Sequence, residues 1–213
     1  MNYLAHLHLG GQRPAQLLGS LYGDFVKGPL AGRFTPEVEA SIHLHRRIDA
    51  FTDRHPLTRA ALGRFSQGNR RYAGIVLDVF FDHCLARDWH CYAQVPLEAF
   101  TERFYRVLRA QADLPERLAA VAPRMVAQDW LGSYQEYSVV EAALGGIARR
   151  LSRPEGLFQA MQELPGLYQP LSEDFAAFYP VLQDFAQAAL AGDAAVAGSG
   201  TAGLSGSAPN SAC

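Results

Sequence analysis

Apolar positions along this chain recur at intervals of three and four, and no stretch alternates convincingly at two. The pattern therefore predicts helices and no sheet. Residues 14–27 place Leu18, Leu21, Tyr22 and Phe25 at helical spacing. Residues 36–53 open on Thr35 and Pro36, a capping hydroxyl followed by a ring suited to the first helical position. Glu37 and Glu39 then fall in the first turn. Further helices are expected over 56–65, 71–89, 96–111, 115–134, 137–151, 154–163 and 168–191, the last interrupted near Pro180. Residues 2–9 form a short apolar segment. The architecture expected is an all-α, single-domain bundle over residues 1–191.

Beyond Leu190 the character changes. Residues 192–213 are almost entirely Gly, Ala, Ser and other small residues. Such a stretch buries too little apolar surface to offset the entropy of ordering it, so a flexible tail is expected. Gly198, Gly200 and Gly203 match a GxGxxG string, but no strand precedes them. Without that context the string is no dinucleotide fingerprint.

The helix expected over 71–89 is apolar around nearly its whole circumference, through Ile75, Val76, Leu77, Val79, Phe80, Phe81, Cys84, Leu85 and Trp89. A helix of that kind is buried. It nevertheless carries Asp78, Asp82 and His83. Asp78 and Asp82 are one helical step apart, and carboxylates forced together in a buried place require a cation between them. The cation is either a metal ion or a buried arginine such as Arg46 or Arg47. On the helix over 36–53, His45, Asp49 and Asp53 form one stripe, and His43 and Arg47 form another. Two imidazoles on one helix suit a metal or a phosphate, and an Asp beside a His orients the ring. A surface His–Asp pair is the plainer alternative. Asp24 lies on the same face as Leu17 and Leu21, near Gly19 and Gly23, which allow a neighbouring helix to approach. His6 and His8 sit in the opening segment, where a lone histidine is more often an ordinary core residue. Together these side chains make a mixed imidazole and carboxylate set, which suits Mn, Fe, Zn or Mg.

Composition narrows the field. The chain has 213 residues, 49% of them hydrophobic, which is enough for a sizeable core. Nineteen Lys and Arg against 21 Asp and Glu leave a formal charge of −2, which argues against wrapping nucleic acid. Cys84, Cys91 and Cys213 are scattered and form no zinc-binding or disulfide framework. No apolar run is long enough for a membrane span, and the N-terminus lacks the basic region of a signal peptide. A cytoplasmic protein with reduced thiols and no membrane or nucleic-acid partner is expected.

Four segments then acquire a shared meaning: NYLAHLHL at 2–9, GDFVKG at 23–28, HLHRRIDAFTD at 43–53 and DVFFDHCLA at 78–86. In this order they resemble the acyl carrier protein phosphodiesterase family, densely over residues 2–89 and more thinly to about 190. That family is similar to the HD superfamily of helical, metal-dependent phosphohydrolases. The resemblance aligns His6 with the first HD histidine, Asp24 with the HD aspartate, and Asp78 or Asp82 with the final one. It departs at Gly23, which stands where the second histidine belongs, so His43, His45 or His83 is left to replace it.

The resemblance implies hydrolysis of the phosphodiester that joins 4'-phosphopantetheine to a serine of acyl carrier protein. The expected metal ligands come from His6, Asp24, His43, Asp78, Asp82 and His83, with a divalent ion, manganese first and Mg or Fe next. His45, Asp49, Arg46 and Arg47 are expected to act in catalysis, and Lys27 and Arg54 to hold substrate. The partner is the acidic carrier protein, for which Arg46, Arg47, Arg54, Arg59, Arg64, Arg70 and Arg71 would supply a basic surface. Two other readings compete: an HD-type enzyme acting on a nucleotide, and a non-catalytic helical module that binds an acidic partner.

Overall fold

The computed structural model describes residues 1–199, with side chains to residue 192. Ten α-helices and one 3-10 turn follow one another, with no strand among the described residues. They are α1 (Tyr3–Leu9), α2 (Pro14–Phe25), α3 (Pro36–Arg54), α4 (Pro56–Gly63), α5 (Arg70–Arg87), a 3-10 turn (Trp89–Cys91), α6 (Leu97–Arg109), α7 (Glu116–Ala127), α8 (Trp130–Ser133), α9 (Tyr137–Ala148) and α10 (Glu155–Ser199). The all-α expectation holds.

Local chemistry accounts for the boundaries. The Thr35 side chain accepts a bond from the Val38 amide, Pro36 occupies the first turn, and Glu37 and Glu39 follow. The helix expected over 115–134 divides instead, because Asp129 takes a left-handed conformation (φ 42°) and caps α8 by accepting from the Gly132 amide. Asp tolerates that conformation better than most residues. The opposite departure occurs in α10, which is continuous where two segments were expected. Pro165, Pro170 and Pro180 lie within it. Pro165 and Pro180 are exposed, so the carbonyls they deprive of partners face water and the helix can curve around the core. Residues 192–199, expected in the tail, continue α10; residues 200–213 and most of the glycine string lie outside the described residues.

α5 is the centre of the bundle. Phe80, Phe81, Cys84 and Leu85 are all at most 2% exposed, and α1, α4, α9 and α10 pack around them. α6 shows a cleaner amphipathic face, with Leu97, Phe100, Phe104, Tyr105 and Leu108 buried. α2 lies against α3 more extensively than any other pair. A Cβ at Gly19 would collide with the Ser41 side chain and the Val38 carbonyl, so that glycine is required by the closeness of the two backbones.

One buried carboxylate positions the first helix. Asp82, fully buried on α5, accepts from the Leu4 amide at 2.8 Å and the Ala5 amide at 3.1 Å. These are orphan donors at the start of α1, whose own N-cap residue, Asn2, supplies no side-chain bond to them. Asp82 is thus a helix cap supplied from a neighbouring helix. Burial pushes its carboxyl up to about 7, against the pull of those two amides. Asp82→Ala leaves both amides buried and unpaired, and should cost about 2–4 kcal/mol of stability by urea denaturation. Asp82→Asn keeps one acceptor and should cost less.

Candidate metal centre

α1, α2 and α3 converge on one point. His6 of α1 and His45 of α3, exposed by 1% and 3%, stack with ring centroids 3.6 Å apart and planes 17° from parallel. Asp49, one turn beyond His45, reaches both rings. Its Oδ1 is 3.0 Å from His6 Nε2 and its Oδ2 is 3.2 Å from His45 Nε2. The ligand atoms of His6, His45 and Asp49 lie within 4.8 Å of one another.

The proton inventory of His45 decides what this arrangement needs. Its Nδ1 is 2.8 Å from the Ser20 carbonyl, which can only accept, so Nδ1 carries a proton. A neutral ring has no second proton, and its Nε2 lone pair then faces a carboxylate oxygen. Either a further proton or a metal ion must lie between them. Burial drives His6 down to about 3, reinforced by neighbouring His45, so its ring is neutral and able to ligate at neutral pH. Burial alone would raise the Asp49 carboxyl, but the imidazoles of His45 and His6 and the Met1 ammonium outweigh it and hold the group well below the usual carboxylate range. The donor set therefore fits a divalent metal: the neutral imidazole of His6, the imidazole of His45 oriented by a carbonyl, and one ionised carboxylate. Asp49 is 42% exposed, which leaves the cluster open to solvent on that side.

Two buried polar atoms nearby have no partner: His6 Nδ1 and Asp24 Oδ2. The Asp24 carboxyl is raised, first by burial and then by Asp49, with His45 pulling the other way. The Met1 ammonium lies 2.8 Å from Asp78 Oδ1 and 3.9 Å from Asp49 Oδ1. Burial lowers its pKa, but Asp78 and Asp49 prevail and push it up to about 10.

The other residues singled out from the sequence go elsewhere. His43 and Arg47 are exposed on α3, and Lys27 and Arg54 are exposed on its flanks. Arg46 donates to the carbonyls of Val26 at 3.2 Å and Gly28 at 2.9 Å, anchoring the loop that carries Lys27. Asp78 engages the chain terminus and Asp82 caps α1, so this carboxylate pair does not share a cation. His83 is buried between the Tyr134 carbonyl and the Tyr168 hydroxyl, each at 2.8 Å, and is not in the cluster. Two clefts, of about 620 and 460 Å³, contain none of the cluster residues.

The close helix approach expected at Gly23 occurs, but the sequence did not show that the ring of His45 fills the space. A Cβ at this position would fall inside the ring of His45. The signal was available as a glycine inside an apolar helical pattern. Gly23→Ala should displace His45 and weaken Mn(II) binding at least tenfold by isothermal titration. Gly63→Ala, where a Cβ meets nothing within 4 Å, should leave it unchanged. The buried imidazoles also set a pH dependence. In the metal-free protein His6 and His8, the latter lowered by burial to about 4, stay neutral where the unfolded chain is protonated. Stability is then full above about pH 6.5 and lost on acidification towards pH 4 and then 3. The urea midpoint should fall across that window, and His8→Phe should flatten the decline above pH 4.

The comparisons with known proteins agree with one another. Residues 1–182 match the family model described as acyl carrier protein phosphodiesterase. A protein of that name from Escherichia coli is 37% identical over 77% of this chain and 86% of its own length. One from Serratia proteamaculans is 40% identical over 72% and 80%. No solved structure matches. The chain belongs to the acyl carrier protein phosphodiesterase family.

Proposed function

We propose that the protein hydrolyses the phosphodiester linking 4'-phosphopantetheine to the serine of acyl carrier protein, releasing apo-carrier and free phosphopantetheine. Family membership supports the substrate. The observation that supports the chemistry is the lone pair of His45 Nε2 set against Asp49 Oδ2, an arrangement completed by a cation. His6, His45 and Asp49 would hold a divalent metal, with manganese the ion we favour. Bound there, such an ion would lower the pKa of a water and offset charge on the phosphoryl oxygens.

The chain's own groups supply the rest. Ser20 holds His45 in the tautomer that ligates. Asp24 Oδ2, buried and unpartnered, would accept the proton of the attacking water. The bond that breaks is the one from phosphorus to the serine oxygen, which takes a proton from solvent on the open Asp49 side. Lys27, on the loop anchored by Arg46, is placed to meet phosphoryl charge; Arg46 then acts by positioning. His45 also fills the space at Gly23, and we read it as the imidazole that replaces the missing HD histidine. The reading sets the protein in the cytoplasm, in keeping with free thiols at Cys84 and Cys91. No helix among the described residues is long and apolar enough to cross a membrane.

Mass spectrometry of holo-carrier after incubation with the protein tests this. The carrier should lose the mass of phosphopantetheine with Mn(II), and lose nothing with a chelator. His45→Ala and Asp49→Ala should each reduce turnover by about 100-fold or more. An unchanged rate in either variant would remove the cluster from the mechanism.

A further inference from the structure

The arginines of this protein divide by what they face. Arg13, Arg64, Arg87 and Arg109 each meet a carboxylate, from Glu37, Asp174, Asp88 and Glu102. Arg64 is thereby neutralised, while Arg46 and Arg70 are engaged by backbone carbonyls. The basic surface expected over 46–71 is correspondingly thinned. A different group stays open. Arg149, Arg150 and Arg153 cluster at the turn between α9 and α10, all exposed, and none meets a carboxylate among the described residues. Arg150 bonds only the Gly146 carbonyl. Arg153 shares a cleft of about 460 Å³ with Arg71, Tyr72, Leu151 and Ser152.

We infer that this cleft and the α9–α10 turn form the docking surface for the acidic body of the carrier protein, an inference that rests on the function proposed above. Its position is the first argument. Arg71 and Asp78 are seven residues apart on α5, on the same side, and about 10 Å apart along the axis. Asp78 binds the Met1 ammonium, which is 3.9 Å from Asp49. The field of Arg150 also reaches Tyr3, whose ring stacks on Phe25 beside Asp24. The scissile bond lies at the carrier's own serine, not at the end of a long arm. The carrier's body must therefore rest close to the metal centre, and Arg71 ties this cleft to that neighbourhood.

Charge is the second argument. Three cations within five residues repel one another, and none forms an ion pair among the described residues, although Glu155 follows in the first turn of α10. Arg149 and Arg150 complement the C-terminal dipole of α9, but Arg71 and Arg153 sit at helix N-terminal ends, where a cation is unfavourable. Arginines placed against the helices' own interest suit a strongly acidic surface arriving from outside.

The test is steady-state hydrolysis of holo-carrier with Mn(II) by the full chain. The double variant Arg150→Glu/Arg153→Glu should raise KM at least tenfold and leave kcat within twofold. Its hydrolysis of bis(p-nitrophenyl) phosphate should match that of the wild type. Arg106→Glu, a charge reversal on exposed α6, should leave KM unchanged, and Arg150→Lys/Arg153→Lys should restore it. Circular dichroism confirms that each variant is folded. A KM unaffected by the double reversal overturns the surface, as does an equal rise with Arg106→Glu. If the wild type releases no phosphopantetheine, the proposed function fails. The surface is then judged by anisotropy with labelled apo-carrier: binding lost only in the double variant upholds it, and equal binding in all forms overturns it.

Discussion

A single hydrogen bond, from His45 Nδ1 to the Ser20 carbonyl, sets the electrostatics of everything around it. With Nδ1 committed to that bond, the other nitrogen lies 3.2 Å from a carboxylate oxygen, a contact that a proton or a metal ion must complete. The neutral ring of His6 stacks on that of His45, with centroids 3.6 Å apart. The geometry also depends on two absent side chains. Gly19 lets α2 and α3 approach until their backbones touch, and Gly23 leaves the volume that the His45 ring fills. The site is thus a product of helix packing as much as of ligand chemistry.

Helix periodicity was legible because the apolar spacing that buries a face is local information. The start of α3 at Pro36 and the amphipathic face of α6 follow from it directly. The break at Asp129 was not legible, since nothing in the pattern distinguishes a left-handed cap from one more polar turn. The prolines of α10 misled in the other direction: a proline on a solvent face costs a helix far less than one facing a core.

The site was legible as a set of residue types and only partly as a set of positions. His6, His45 and Asp49 were among the residues nominated, yet the i,i+4 pair Asp78 and Asp82 carried more of the sequence argument. Spacing on one helix does not say what arrives from another. Asp82 receives the amides of α1, and Asp78 an ammonium group. His83, equally plausible from its neighbours, is satisfied by a carbonyl and a tyrosine. Only Asp82 is buried, and its positive partners are backbone dipoles; Asp78 is half exposed and meets the Met1 ammonium.

The role of Asp82 bears on when the site exists. α1 has seven residues, too few to persist as a helix alone. Its N-cap residue does not help, because Asn2 donates instead to the Tyr134 hydroxyl at 2.8 Å. The first turn is therefore fixed only once α5 has delivered its carboxylate and the segment carrying Tyr134 is in place. His6 rides on that turn, whereas His45 and Asp49 belong to a helix of 19 residues with its own cap. Two of the three candidate ligands are presented by α3, against which α2 packs. The third waits for the core. A perturbation at Asp82 would therefore disturb the candidate metal cluster although Asp82 is no part of it, by loosening the helix that presents His6.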